Sequence, residues 1–324
     1  VVVQELGIVG VLYGQIIGAT AQFVTLLITE WKWSFFSFSM PYLRDMLYFS
    51  IFLIPTQLAS FVTYWSNRYF LQEHASLDDV GVFSLGYKIA SVIPILITGP
   101  IKKAIGPEVY SLIDNQELCK SKIRHFTSVI LVFLTLFALS LSMFSRELVM
   151  IVATKAYSSS YEVVFILSMG YVLIGIASIV VLPINISKKT WLITLTWILG
   201  SGVNLVLNFY LVSLYGKAGA TYATFITFLF ILTLYFIFSE KVYHVGFEYK
   251  KYLSLIILVT IVYFFSSLIQ VESIVIVILI KVIMLATTGV AVVRFFLNKK
   301  EKGYVLRIMN KLIPIKKYFS KSNL

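Results

Sequence analysis

Three cationic side chains lie inside or at the edge of long apolar runs: Arg68, Lys88 and Lys281. A cation in a segment that must sit in lipid costs about 3 kcal/mol, and such residues usually face a bundle interior or a wet cavity. The chemistry open to them there is recognition of an anion. Lys88 lies in Gly86-Tyr87-Lys88-Ile89-Ala90, eight residues into a run that starts at Val80. At about 1.5 Å per residue this is roughly 12 Å along a helix, deep for a snorkelling side chain. The spacing predicts that Lys88 lines a cavity and attracts an anionic substrate. The alternatives are a lysine reaching the outer headgroups or one paired within the bundle. Arg68, in Asn67-Arg68-Tyr69, closes the preceding run and is read as a second cavity cation or as a membrane-edge arginine. Asp78 and Asp79 are near enough in sequence to neutralise it. Lys281, seven residues into a late run, is the weaker candidate and reads as a snorkelling, lipid-contacting lysine.

Other chemistry is sparse. All fifteen Asp and Glu fall in loops or at the ends of apolar runs, so no carboxylate stands at mid-membrane as a proton relay or a site for an organic cation. No Ser/His/Asp arrangement, paired carboxylates or phosphate-cradling glycine loop is present, so the chain is not expected to be an enzyme. The single cysteine, Cys119, excludes an intrachain disulfide and metal sites built from cysteine pairs. No metal or other cofactor is expected.

The elements that carry these residues are hydrophobic spans. Of 324 residues, 59% are hydrophobic and 13% charged, with mean hydropathy +0.90. A soluble domain has roughly twice that charge. The net charge of +12 does not point to nucleic acid, because the cations sit in short connections and in the tail. A span needs about 20 apolar residues. Nine are predicted: Leu6–Ile28, Leu47–Trp65, Val80–Ile101, Phe126–Phe144, Tyr161–Ile186, Trp191–Leu211, Gly219–Phe238, Tyr252–Ile269 and Ile274–Phe296. The last two form a hairpin about Gln270–Ser273. The connections around 102–125 and 145–160 read as a helix on the inner face and a short outer loop. Pro55, Pro94, Gly99, Pro100 and Pro183 punctuate the spans. Pro94 and Pro100 lie in the run that carries Lys88 and are read as a bend that matters to gating, with a static kink as the alternative.

Twenty-one of the 27 Lys and Arg fall on one set of alternate connections and the tail, and four (Arg68, Arg146, Lys155, Lys217) on the other. The positive-inside rule then places the tail in the cytoplasm, in the inner membrane of the cell, and the start of the first span outside. An odd span count starting outside, and a Val-Val-Val beginning with no signal peptide, predict that further helices precede this stretch. The tail, 298–324, reads as a basic amphipathic helix at the interface or a partly disordered basic end.

Several stretches resemble the second half of the polysaccharide-biosynthesis flippases. These are O-antigen and capsule repeat-unit translocases of the multidrug/oligosaccharidyl-lipid/polysaccharide exporter superfamily. They are Leu6 to Gln15 (LGIVGVLYGQ), Asn67 to Leu71 (NRYFL), Val80 to Ile89 (VGVFSLGYKI) and Gly106 to Tyr110 (GPEVY). Lys188 to Thr190 (KKT), Asn204 to Asn208 (NLVLN) and Tyr215 to Thr224 (YGKAGATYAT) follow in order. The resemblance implies an all-α polytopic transporter of 12–14 helices in two six-helix lobes around a cavity. Residues 1–30 would be the last helix of the first lobe, 31–240 the second lobe, 241–297 a terminal pair and 298–324 the tail. It implies an undecaprenyl-diphosphate-linked sugar repeat unit as substrate, moved by alternating access. Membrane lipids and the polysaccharide polymerase machinery are the other partners it implies. The family commonly has an aspartate before the arginine; here the residue is Asn67. The rival readings are a cation-coupled multidrug exporter of the same fold and a polysaccharide polymerase or ligase.

Overall fold

A computed structural model describes residues 7–30, 38–51, 53–269, 273–298 and 301–303. The remaining tail, including the apolar positions from Val305 on, and residues 270–272 of the last turn lie outside the described residues. Among the described residues all regular structure is helical. The chain divides into two units, Val1–Tyr48 and Phe49–Leu324.

The first unit holds α1 (Gly7–Glu30), and α2 (Met40–Ile51) begins in it. α1 is an uninterrupted apolar helix without proline. Its Thr20, Thr25 and Thr29 hydroxyls donate to carbonyls four residues earlier at 2.8–2.9 Å. Such back-bonding satisfies these three hydroxyls within the helix itself.

The second unit continues with α3 (Leu53–His74), α4 (Leu77–Ala90), α5 (Gly99–Tyr110), α6 (Gln116–Met143) and α7 (Ser145–Val152). Then come α8 (Tyr161–Val180), α9 (Leu182–Ile186), α10 (Trp191–Tyr243), α11 (Tyr249–Ser267) and α12 (Ile274–Phe296). Local chemistry sets several ends. Ser76 caps α4 by accepting the Asp79 N–H at 3.1 Å, and Asn115 caps α6 by accepting that of Leu118 at 3.1 Å. Helix α8 is apolar all round and correspondingly buried, flanked by α4, α6 and α10. Helices α11 and α12 pack on α6, and Tyr263 of α11 stacks on Phe165 of α8 at 3.8 Å between ring centroids.

Seven helical stretches are long and apolar enough to cross a membrane among the described residues, so this is a multi-pass membrane protein. One of the seven, α10, is 53 residues long, about 80 Å if straight, against about 30 Å of hydrocarbon. It is not straight. Gly216 adopts φ 54°, ψ −129°, a conformation that suits glycine. A Cβ on Gly219 would lie 1.9 Å from the Leu211 carbonyl oxygen. The chain therefore doubles back on itself, and the predicted pair Trp191–Leu211 and Gly219–Phe238 becomes two arms, residues 191–215 and 217–243. Helix α3 is also long enough to cross but less apolar, with Gln57, Ser60, Ser66 and Arg68 besides the buried Thr56, Thr63 and Asn67. Counting it and both arms gives the nine crossings expected from the sequence.

Boundaries differ in three places. The second span lies further along than predicted, since α3 runs past Arg68 to His74. The inner connection at 102–125 is not a separate helix: α5 and α6 extend past the apolar run and meet at a turn at 111–115. The outer connection holds α7 and a 3₁₀ turn, Lys155–Ser160. Between α4 and α5 the helix widens into a five-residue π turn, Pro94–Thr98, with Pro100 in the first turn of α5. Proline has no N–H to donate, and such wide turns often accommodate the missing bond.

Candidate functional site

The corner between α3 and α4 carries two of the three cations. Arg68 is not at a helix end: six residues of α3 follow it. Its guanidinium lies 5.0 Å from the ring centroid of Trp65 and 4.9 Å from that of Tyr87, and one nitrogen donates to the Tyr64 carbonyl at 3.0 Å. The spacing is helical: Tyr64 and Trp65 lie one turn before Arg68 on α3, and Tyr87 comes across from α4. Behind it the aromatic cluster continues into the core, Tyr87 to Tyr171 at 5.6 Å and Tyr64 to Trp197 and Phe228 at 6.0 and 5.9 Å. A guanidinium stacked between two rings is held in place, and its remaining N–H groups stay available for an anion.

Asp78 and Asp79 do not neutralise Arg68. Asp79 lies by the Gly216 turn, and among the described residues Arg68 has no carboxylate partner. Lys88, next to Tyr87 in α4, is exposed and also without an ion pair among the described residues. Two cations thus stand on the same pair of helices, one caged by aromatics and one free to extend.

Lys281 lies elsewhere and is enclosed by protein. It is 8% exposed, and its Nζ is 2.6 Å from Glu147 Oε1 and 5.7 Å from the Phe144 ring centroid. Glu147, in α7 at the end of α6, was predicted to be a loop acid.

One feature escaped the sequence reading. A polar seam joins α3 to both arms of α10 next to the Arg68 cage. Ser66 donates to Asn204 Oδ1 at 2.7 Å, Asn204 Nδ2 to Thr227 at 3.0 Å, and Asn208 Nδ2 to Asn204 Oδ1 at 3.0 Å. Asn67, fully buried, has neither side-chain polar atom bonded, and Asn208 Oδ1 is also without a donor. Such oxygens can hold a water or a small cation. The signal lay in Asn204 and Asn208, four apart on one face of an apolar helix, facing Ser66-Asn67. Among the described residues no group of acidic, histidine and cysteine side chains could hold a metal ion.

Residues 1–111 match the family model for polysaccharide biosynthesis proteins. This stretch includes α3, α4, Arg68 and Lys88. No curated protein matches the sequence. Among solved structures the chain is similar to one described as lipid II flippase MurJ, inward closed conformation. The TM-score is 0.64 at 17% identity over 89% of this chain and 62% of that one. At this identity the likeness is one of fold, an all-α architecture, and the chain spans 62% of that structure's length.

Proposed function

We propose that the protein moves a lipid-linked sugar intermediate, an undecaprenyl-diphosphate-linked repeat unit of a surface polysaccharide, across the cytoplasmic membrane. The observation that carries this reading is the α3–α4 corner. Arg68 and Lys88 stand there without a compensating acid among the described residues, on the stretch that matches the polysaccharide biosynthesis family. Two uncompensated cations suit a diphosphate, with Arg68 contributing planar N–H groups and Lys88 a mobile point charge. The fold likeness to a lipid II flippase supports the same class of cargo, and neither Arg68 nor Lys88 is ion-paired to a carboxylate among the described residues.

In this reading α3 to α10 form the second lobe of a two-lobe transporter, residues 1–30 the last helix of the first lobe, and α11–α12 a terminal pair. The lysine-rich ends face the cytoplasm, the tail included. Residues assigned to one side do meet: Glu162 with Lys217 at 2.9 Å, Lys281 with Glu147, and Arg124 with the Val245 carbonyl at 2.6 Å. The irregular backbone at Pro94–Thr98 lets α4 and α5 change their mutual angle during alternating access. The protein is a transporter and not an enzyme, and hands its cargo to polymerase machinery.

Deletion of the gene followed by analysis of lipid-linked intermediates tests the reading. An inner-leaflet diphosphate-linked repeat unit should accumulate, and Lys88→Ala should reproduce the defect while Lys88→Arg relieves it. Normal export in both the deletion and Lys88→Ala would overturn it.

A further inference from the structure

One face of α3 differs from the outer faces of the terminal pair. Gln57, Phe61, Trp65, Arg68 and Gln72 recur at spacings of three and four, so they form one stripe about 22 Å long. All are exposed except Arg68, which is half-buried. On α12, by contrast, the exposed side chains from Val275 to Val290 are apolar except Thr287, whose hydroxyl bonds back to the Ile283 carbonyl at 2.9 Å. That surface suits hydrocarbon; two amides and a guanidinium on α3 do not. The direction of Arg68 makes the same point. The nearer end of α3 is His74, six residues on, and a cation bathed in lipid would snorkel toward it. Instead the guanidinium reaches back one turn to the Tyr64 carbonyl at 3.0 Å, toward the middle of the span. The space beside this stripe is therefore polar. Trp65 stands in it 56% exposed, its ring centroid 5.0 Å from the guanidinium carbon and 5.9 Å from that of Phe61, with the two rings tilted by 32°. A large ring left open in a polar space suits a partner that is apolar on one side and polar around its rim.

We propose that Trp65 is the stacking platform for the sugar joined to the diphosphate, and so a specificity-determining residue of the transporter. The inference rests on the reading of the α3–α4 corner as a diphosphate site, and adds a contact that neither the phosphates nor the lipid can make. A pyranose meets the requirement. Its axial C–H groups form an apolar face that meets the negative face of the indole, and its hydroxyls point outward into the polar space. The order of groups along the stripe agrees with the cargo. In a lipid-linked sugar the phosphate and the first ring are neighbours, as Arg68 and Trp65 are. Phe61, one turn further along, continues the apolar wall, and Gln57 ends it with an amide that both donates and accepts. A lipid chain would gain nothing from that amide or from the guanidinium beside the ring.

The test is calorimetric binding to the intact protein in maltoside detergent. The ligands are farnesyl diphosphate and the same lipid bearing N-acetylglucosamine or galactose on its terminal phosphate. In the unaltered protein a sugar should tighten binding about tenfold, the scale of one ring stack with its polar contacts. Trp65→Leu should bring that ratio to about one without lowering the unfolding temperature, and Trp65→Tyr should keep most of it. Lys88→Ala should weaken all three ligands and leave the ratio in place. Equal affinity for the bare lipid and both sugar-bearing ones would overturn the inference, as would a ratio that survives Trp65→Leu. So would a Trp65→Leu protein that loses affinity for the bare and sugar-bearing lipids alike, because Trp65 would then only seat Arg68. If Trp65→Leu does not fold, the ratio in the unaltered protein and its loss in Trp65→Gln decide. Failure of the unaltered protein to bind farnesyl diphosphate at all would overturn the diphosphate reading itself, and this inference with it.

Discussion

Lys88 and Lys281 look alike in the sequence, each a lone lysine in the lysine-poor half of an apolar span, yet the structure treats them in opposite ways. Lys281 is enclosed and paired with Glu147 at 2.6 Å. Lys88 is exposed, beside an arginine held by aromatic rings, with no acid at hand among the described residues. A charge compensated inside the protein has little left for a ligand. A charge left uncompensated costs stability and persists where something outside the chain will meet it. The two sites therefore separate a cation that orders the bundle from one that is available to cargo.

The largest expected effect comes from opening the closed pair. Glu147→Leu leaves Lys281 buried and alone and should destabilise the protein by about 3–5 kcal/mol, seen as a lower unfolding temperature in detergent. Adding Lys281→Met should recover most of that loss. If Glu147→Leu alone is neutral, Lys281 reaches water unaided and the contrast with Lys88 collapses.

Removing Lys88 should do the reverse. Lys88→Met should shift stability by less than about 0.5 kcal/mol, as at other open positions. Export of the lipid-linked product should nevertheless fall about tenfold, measured by surface polysaccharide formed per unit of protein. A change in stability matching that of Glu147→Leu would place Lys88 in the same class as Lys281.

Arg68 sharpens the comparison because it is both held and available. Arg68→Lys keeps the charge but loses the planar stack on Trp65 and Tyr87, at a cost of about 1 kcal/mol. Export should fall by less than in Lys88→Met, since the charge remains near the corner. An export loss greater than that of Lys88→Met would make the guanidinium geometry, and not the charge, the main determinant.

The smallest effect lies at the lysine-rich end, where Glu301 shows a third mode of compensation. Burial alone would raise its pKa. His125, the Asn298 backbone N–H at 2.6 Å and Lys251 at 3.3 Å outweigh burial and hold it below the ordinary carboxylate value. A carboxyl depressed in the folded state stabilises above its unfolded pKa and loses that contribution as pH falls through the folded value. Protection of the Asn298 amide from hydrogen exchange should therefore hold near neutrality and decline only at pH below the usual carboxylate range. A loss beginning nearer pH 6 would assign the control to another group.

How much of this was legible differs from element to element. Composition and the alternation of loop cations were enough for the all-helical membrane class and nearly all the spans, because hydrocarbon demands about 20 apolar residues whatever the tertiary fold. Helix α3 was misplaced along the chain because its buried face is polar. Thr56 bonds to Thr194 of α10, Thr63 donates back to the Ala59 carbonyl within α3 and Asn67 is left unbonded, and a hydropathy reading cannot see a partner. The hairpin at Gly216 and Gly219 was readable as a break between spans, but its tightness depends on how closely the two arms meet. The aromatic cage of Arg68 draws on residues from α3 and α4, nineteen positions apart.

The sequence by itself determined that the protein is a helical bundle in lipid, where all the spans but α3 lie, and that Lys88, Arg68 and Lys281 were the cations to explain. Those facts follow from the cost of polar groups in hydrocarbon, which acts residue by residue. Only the tertiary structure decided which cation is spent on the protein and which is left over. Compensation depends on distance: Glu147 is 134 positions from Lys281 along the chain and 2.6 Å away in space, while Asp78 and Asp79, ten or so positions from Arg68, do not pair with it.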